Sequence, residues 1–173
     1  VIKMAPVYNE LKKYPKLFKT YVCSTSQHRD MLDQVLSVFN IKIDIDLNLM
    51  KKDQDLFDIT SSILKSIKTV YEKIKPEIVL VHGDTTTTFA CTLGAFYFGV
   101  PVGHVEAGLR TFKIKEPYPE EFNRQITSKL STWHFAPTEK SRQNLLKENI
   151  ISKNIIVTGN TVIDSLYFIL NTI

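Results

Sequence analysis

The 173-residue sequence lacks most of the signatures that would narrow its chemistry at once. It has two cysteines, Cys23 and Cys91, each in an apolar stretch ("TYVCST" and "FACTLGA"). Two such thiols build no disulfide framework; they are expected to be buried and reduced, as in a cytoplasmic protein. There is no Cys/His spacing of a metal site, no P-loop and no Gly-x-Ser-x-Gly elbow. No apolar run approaches the roughly 18 residues of a membrane helix, and no charged-then-apolar leader opens the sequence. A zinc-finger spacing, an aromatic RNA-binding signature and a basic block are all missing, so nucleic acid is not an expected partner. The formal net charge is nevertheless +4, from lysines scattered among asparagines and isoleucines. A solvated surface accounts for them; a mild preference for an anionic small molecule is the alternative.

What is present is ordinary globular material, 43% hydrophobic and 23% charged, in a chain long enough to bury roughly two-thirds of its unfolded surface. Residues 1–13 mix apolar and charged positions at helical spacing, with Pro6 an early irregularity. "FKTYVCST" reads as a strand, "HRDMLDQVLSVF" as an amphipathic helix and "IDIDLNLM" as a half-buried strand. A longer helix is predicted from Asp55 to Lys73, ended by Pro76. Three strand-then-helix units follow: "EIVLVHG" with "TTTTFACTLGAFYFG", "PVGHVEA" with "EEFNRQITSKLS" after a loop, and "WHFAPT" with "EKSRQNLLKE". A last strand, "IIVTG", leads into "NTVIDSLYFILNT". This alternation predicts an α/β fold with a parallel sheet and right-handed crossovers. No internal repeat or linker-like tract interrupts it, and "VTGNT" is the one stretch that resembles a boundary.

In an open parallel sheet, ligands bind beyond the carboxyl ends of the strands. Asp84 and Glu106 stand at two such ends, and neighbouring strands would bring them to one rim. Gly83 and Gly103 would let a backbone or a ligand approach. Asp84 is either a helix N-cap or a ligand-facing acid; a cap can also be both. Thr85 to Thr88 either pack a β-branched helix start or offer hydroxyls and N–H groups to an anion. Glu106 follows a buried strand and needs a partner, which favours an active-site role. His82 and His104 read first as structural, with His104 kept as a substrate-side candidate. Glu120 and Glu121 open a helix where negative charge is favoured, and Arg124 is spaced for an i,i+4 pair with Glu120. Arg110, after "EAGL", is a candidate phosphate or carboxylate partner. Three carboxylates on separate elements could take a proton from one face of a substrate and return it on the other.

The blocks "VLVHGDTTTTFA", "VPVGHVEAGLRT", "YPEEFNRQ", "STSQHRDMLDQVL" and "VTGNTVID" resemble, in order and in spacing, the non-hydrolysing UDP-N-acetylglucosamine 2-epimerases. The resemblance runs from Ile2 to about Leu166. It implies a Rossmann-like parallel sheet with helices on both faces, one half of a two-domain GT-B fold. On this basis residues 1–160 are the N-terminal Rossmann-like domain, and 161–173 begin the connection to a second domain. The implied activity interconverts UDP-GlcNAc and UDP-ManNAc in the cytoplasm for surface polysaccharide synthesis, with no redox cofactor and no metal. The family eliminates UDP to a 2-acetamidoglucal, then adds it back. By this match Asp84, Glu106 and Glu120 are the acid–base carboxylates, and Lys3 is an active-site cation. His104, Arg110 and Arg124 are substrate-side candidates. Gln27 matches, with Arg29 two residues on, the place where relatives bind a second, activating UDP-GlcNAc; a polar loop before a helix is the alternative for both. Asp30 and Asp53 depart from that pattern.

The family's Gly-Thr-Arg-Pro-Glu turn and its first strand lie before the point at which this sequence begins, and its second domain lies after Ile173. The segment is therefore expected to be inactive alone. A homodimer formed through helices of the first domain is implied as well. The competing readings are a hydrolysing 2-epimerase, a GT-B glycosyltransferase domain, and a non-catalytic remnant acting in association. The intact "HGDTTTT" block argues against the hydrolysing enzyme.

Overall fold

The computed structural model describes residues 1–26, 29–49 and 51–171. In chain order its elements are α1 (Ala5–Lys12), β1 (Cys23–Ser24), α2 (Arg29–Val38), β2 (Ile45–Asp46), α3 (Leu56–Ile74), β3 (Val79–His82), α4 (Thr86–Phe98), β4 (Val102–Val105), α5 (Glu120–Leu130), β5 (Trp133–Ala136), α6 (Glu139–Lys147), β6 (Ile155–Val157) and α7 (Thr161–Leu170). They divide into two compact units, one of Val1–Lys52 with Asn160–Ile173 and one of Asp53–Gly159. Among the described residues no helix is long and apolar enough to cross a membrane.

In the first unit, Pro6 lies in the first turn of α1, where its missing N–H removes no helical hydrogen bond. The two strands expected here shrink to two residues each, paired in parallel as Cys23↔Ile45 and Ser24↔Asp46. The reason is local. The Asp44 carboxylate accepts from Val22 N at 2.8 Å, and Asp46 accepts from Ser26 Oγ and from Asn48 N, so side-chain acids take backbone N–H groups that flank the two strands. Cys23 is exposed and Cys91, in the other unit, is half-buried, which corrects the expectation of two buried thiols. α7 packs within this unit. The Thr161 and Ser165 hydroxyls donate at 2.6 Å to the carbonyls of Lys3 and Ile2, and Phe168 stacks on Phe39.

The second unit is a four-stranded parallel sheet in the order β3-β4-β5-β6. β4 is buried along its whole length. α3 starts on a capping box, with Asp55 accepting from Asp58 N and the Asp58 side chain returning to Asp55 N. It buries Ile63, Ile67 and Tyr71, and the Tyr71 hydroxyl donates to Cys91 O on α4 at 3.1 Å. The helix ends at Ile74, with Lys75 left-handed just before Pro76. Ala107, Ala136, Leu145 and Ile155 form the apolar cluster under α6. Gly103 admits its neighbours rather than a ligand: a Cβ there would stand 2.7 Å from Leu80 Cδ2.

Candidate active site

The apolar run of β3 stops at His82 because the chain must turn. Gly83 adopts φ +71°, which glycine tolerates without a Cβ penalty. The cap of α4 is Thr85, not Asp84: Thr85 Oγ1 accepts from Thr88 N at 3.2 Å. Thr88 Oγ1 donates to His82 O at 2.6 Å, and Thr92 Oγ1 donates to Thr88 O at 2.8 Å. The threonines thus satisfy the strand end and the first turns of the helix. Asp84 is left to face another element.

That element is α5. Arg124 Nη1 donates to Asp84 Oδ2 at 2.9 Å, and Asn123 Nδ2 donates to Asp84 O at 2.9 Å. Glu120, half-buried, is the first residue of the same helix. β3 and β4 run in register to His82↔Val105, and Gly83 N donates to Val105 O at 3.0 Å, so Asp84 and Glu106 leave adjacent strand ends together. Burial pushes the Asp84 carboxyl above its ordinary pKa; Arg124 opposes this, while the Glu120 and Glu106 charges add to it. The sequence-predicted trio of Asp84, Glu106 and Glu120 is therefore brought to one rim. Glu106 is 11% exposed, and its backbone is left-handed at φ +64°. A non-glycine residue held there costs of order 1 kcal/mol and is commonest where a side chain must be aimed. Glu106 Oε2 lies 3.3 Å from His82 Nε2, at ion-pair distance but without hydrogen-bond alignment.

Three expectations are corrected here. Arg124 pairs with Glu121 at i,i+3, at 2.6 Å, and with Asp84, rather than with Glu120 at i,i+4. Arg110 does not face the rim. Its side chain is fully buried, with Nε and Nη2 on the two Glu148 oxygens at 2.6 and 2.9 Å. Ser128 Oγ and Leu109 O take its other donors, so the carboxylate it was expected to find lies inside the protein. His104 also points inward. It is fully buried, with Nε2 2.8 Å from Gly83 O, and burial pushes its pKa down to about 3.

Lys3 stands in the 3₁₀ turn Ile2–Met4 of the first unit. Gln27 and the side chain of Arg29 lie outside the described residues.

Sequence reasoning missed Glu121. It is 0% exposed and accepts four bonds, from Thr111 N, Phe112 N, Arg124 Nε and Gln125 Nε2, at 2.6–3.1 Å. The spacing of Glu121 to Arg124 was a usable signal; the two loop N–H groups left none. Among the described residues, no group of three or more His, Cys, Asp or Glu is arranged to hold a metal ion.

The fold and the rim define a Rossmann-like α/β domain carrying a cluster of carboxylates at the carboxyl ends of adjacent strands. The family model for UDP-N-acetylglucosamine 2-epimerase matches residues 9–173, and the chain belongs to that family. It is 61% identical over 165 residues to the UDP-N-acetylglucosamine 2-epimerase of Neisseria meningitidis serogroup A, covering 95% of this chain and 44% of that protein. Against the Escherichia coli K12 enzyme of the same name the identity is 55% over 168 residues, covering 97% and 44%. The crystal structure of the N. meningitidis UDP-GlcNAc 2-epimerase bound to UDP-GlcNAc superposes with a TM-score of 0.95 at 60% identity, over 99% of this chain and 46% of that one. The Methanocaldococcus jannaschii UDP-GlcNAc 2-epimerase in complex with UDP-GlcNAc and UDP gives 0.89 at 36% identity, over 96% and 45%. The chain thus spans less than half the length of the curated relatives it matches. Its fold is that of one half of the GT-B arrangement, as the resemblance implied.

Proposed function

We propose that this chain supplies the acid–base half of a UDP-GlcNAc 2-epimerase, interconverting UDP-GlcNAc and UDP-ManNAc by elimination and re-addition of UDP. One carboxylate takes the proton from sugar C2. The freed electron pair forms the C1=C2 double bond, and the C1–O bond breaks with its electrons going to UDP. UDP oxygen then re-forms the bond to C1, and a second carboxylate places a proton on the opposite face of C2. The C2 proton is weakly acidic, so its removal depends on nucleotide departure and on acids held in position. The observation that carries this reading is the meeting of Asp84, Glu106 and Glu120 from three different elements at the ends of β3 and β4. Lys3 is proposed, from the family resemblance, as an active-site cation. The protein is proposed to act in the cytoplasm, as a homodimer, upstream of surface polysaccharide assembly.

The test is turnover of UDP-GlcNAc by the full polypeptide, with D84N, E106Q and E120Q alongside. UDP-ManNAc should form, with each variant slowed. Release of free ManNAc and UDP as the main products would point to the hydrolysing reaction instead. Wild-type rates in all three variants would remove the carboxylates from the mechanism.

A further inference from the structure

Glu121 is a fully buried carboxylate one residue from the proposed site, and the acid–base scheme gives it no task. Burial opposes its ionisation. Donors from Gln125, Thr111, Arg124 and Phe112 overcome this and hold its pKa below the ordinary value, so it is an anion. Two of the donors are the backbone N–H groups of Thr111 and Phe112, and Phe112 is left-handed at φ +61°. The loop after β4 is thus tied to the first turn of α5. The third donor links Glu121 to the rim. Arg124 Nε reaches Glu121 Oε2 at 2.6 Å, while Nη1 of the same guanidinium reaches Asp84 Oδ2 at 2.9 Å.

A guanidinium is a rigid planar fork, so fixing one edge fixes the direction of the rest. Left to one carboxylate, arginine prefers to close on it with two parallel bonds, which holds that carboxylate tightly in its charged form. Here Glu121 occupies the Nε edge at the shorter distance, and Arg124 makes its bond to Asp84 through Nη1 alone. The pair is largely buried: the Arg124 side chain is 11% exposed and Asp84 30%. We propose that Glu121 is a positioning residue that acts through Arg124, restraining the guanidinium so that Asp84 is oriented at the rim without being locked into a closed ion pair. Glu121 touches no substrate in this scheme. Its consequence for turnover rests on the epimerase reading; its effect on Asp84 does not.

The experiment is a carbon-13 NMR titration of Asp84 in the wild type, E121Q, R124Q and E121Q/R124Q. It is paired with pH profiles of kcat for UDP-GlcNAc in the full polypeptide. The groups facing Asp84 are Arg124, Glu120, Glu106 and His82. In E121Q, Arg124 is expected to close on Asp84 and lower its titration by about one pH unit. The acid limb of kcat should move the same way, with kcat down roughly tenfold. In the R124Q background the added E121Q change should do nothing further. An unmoved Asp84 in E121Q overturns the proposal, as does an equal shift with and without Arg124.

If E121Q fails to fold, R124K answers in its place. Lysine keeps the charge but lacks the fork, so the Asp84 titration and kcat should both change; wild-type values for both would overturn the proposal. Failure of the two readings is separable. A shifted Asp84 in a polypeptide that leaves UDP-GlcNAc untouched sinks the epimerase reading alone. Normal epimerisation with an unshifted Asp84 sinks the role of Glu121 alone.

Discussion

Asp84 ends an apolar strand, where a carboxylate either caps the next helix or meets something beyond it. Thr85 takes the cap, and Asp84 meets Arg124 at the rim. Replacing Asp84 by asparagine keeps the shape and removes the proposed proton carrier. D84N is expected to lower kcat by roughly 10²–10⁴, the usual worth of a positioned acid or base, with the thermal unfolding midpoint within a few degrees of the wild type. A loss of activity that tracks a loss of fold would assign Asp84 a structural role instead. At this scale the acids were legible, because a charge at the end of a buried strand is anomalous in the sequence itself. Their partners were not. Arg124 sits within reach of both Glu120 and Glu121 on one helical face, and the choice falls to Glu121 because the N–H groups of Thr111 and Phe112 converge there. That convergence is tertiary and leaves no mark on spacing. Arg110 misled for the same reason: Glu148, its carboxylate, lies 38 residues away.

Among the elements, α3 to α6 and β3 to β6 follow the pattern of apolar runs, caps and breakers closely. β1 and β2 fall short where the Asp44 and Asp46 carboxylates take the flanking backbone N–H groups of Val22 and Asn48. The start of α4 depends on one hydroxyl. T85A should cost about 1 kcal/mol and lower the midpoint by about 2–4 °C, measured by circular dichroism at pH 7.

The β4–β5 pair carries a pH dependence of its own. His104 and His134 face each other in register, both buried, each with Nε2 against a carbonyl, Gly83 O for one and Ser128 O for the other. Burial lowers both pKa values, that of His104 to about 3. The unfolded chain takes up these protons near the ordinary histidine pKa of about 6.5, and the native state does not. The stability they contribute is therefore full above about pH 6.5 and is lost as the pH falls below it, by up to about 1.4 kcal/mol per pH unit for each histidine still neutral in the native state, a loss that for His104 runs on to about pH 3. The midpoint should drop between pH 7 and pH 5, before most carboxylates titrate, and the drop should be smaller in H104Q. A midpoint that rises over that interval would contradict the neutral, buried assignment.

At the scale of the whole molecule, the fold class was legible from the strand–helix alternation alone, while the family came from five motif blocks read together. The surface says less, because exposed apolar side chains do not announce their partner in sequence. Phe57 on α3 and Phe96 and Tyr97 on α4 are 84%, 55% and 73% exposed, and α3 packs against α4. If copies of the chain associate through these helices, light scattering should give about twice 19.9 kDa, and F96E/Y97E should return the monomer mass.

The chemistry proposed for the rim of β3 and β4 is the movement of a proton on and off one sugar carbon. It is tested most directly by incubating UDP-GlcNAc with the full polypeptide in D₂O and reading carbon 2 by proton NMR. Deuterium is expected at C2 of the UDP-ManNAc formed and of the UDP-GlcNAc recovered, with exchange in D84N slowed by the factor that its kcat loses. UDP-ManNAc that keeps its original C2 proton would contradict it.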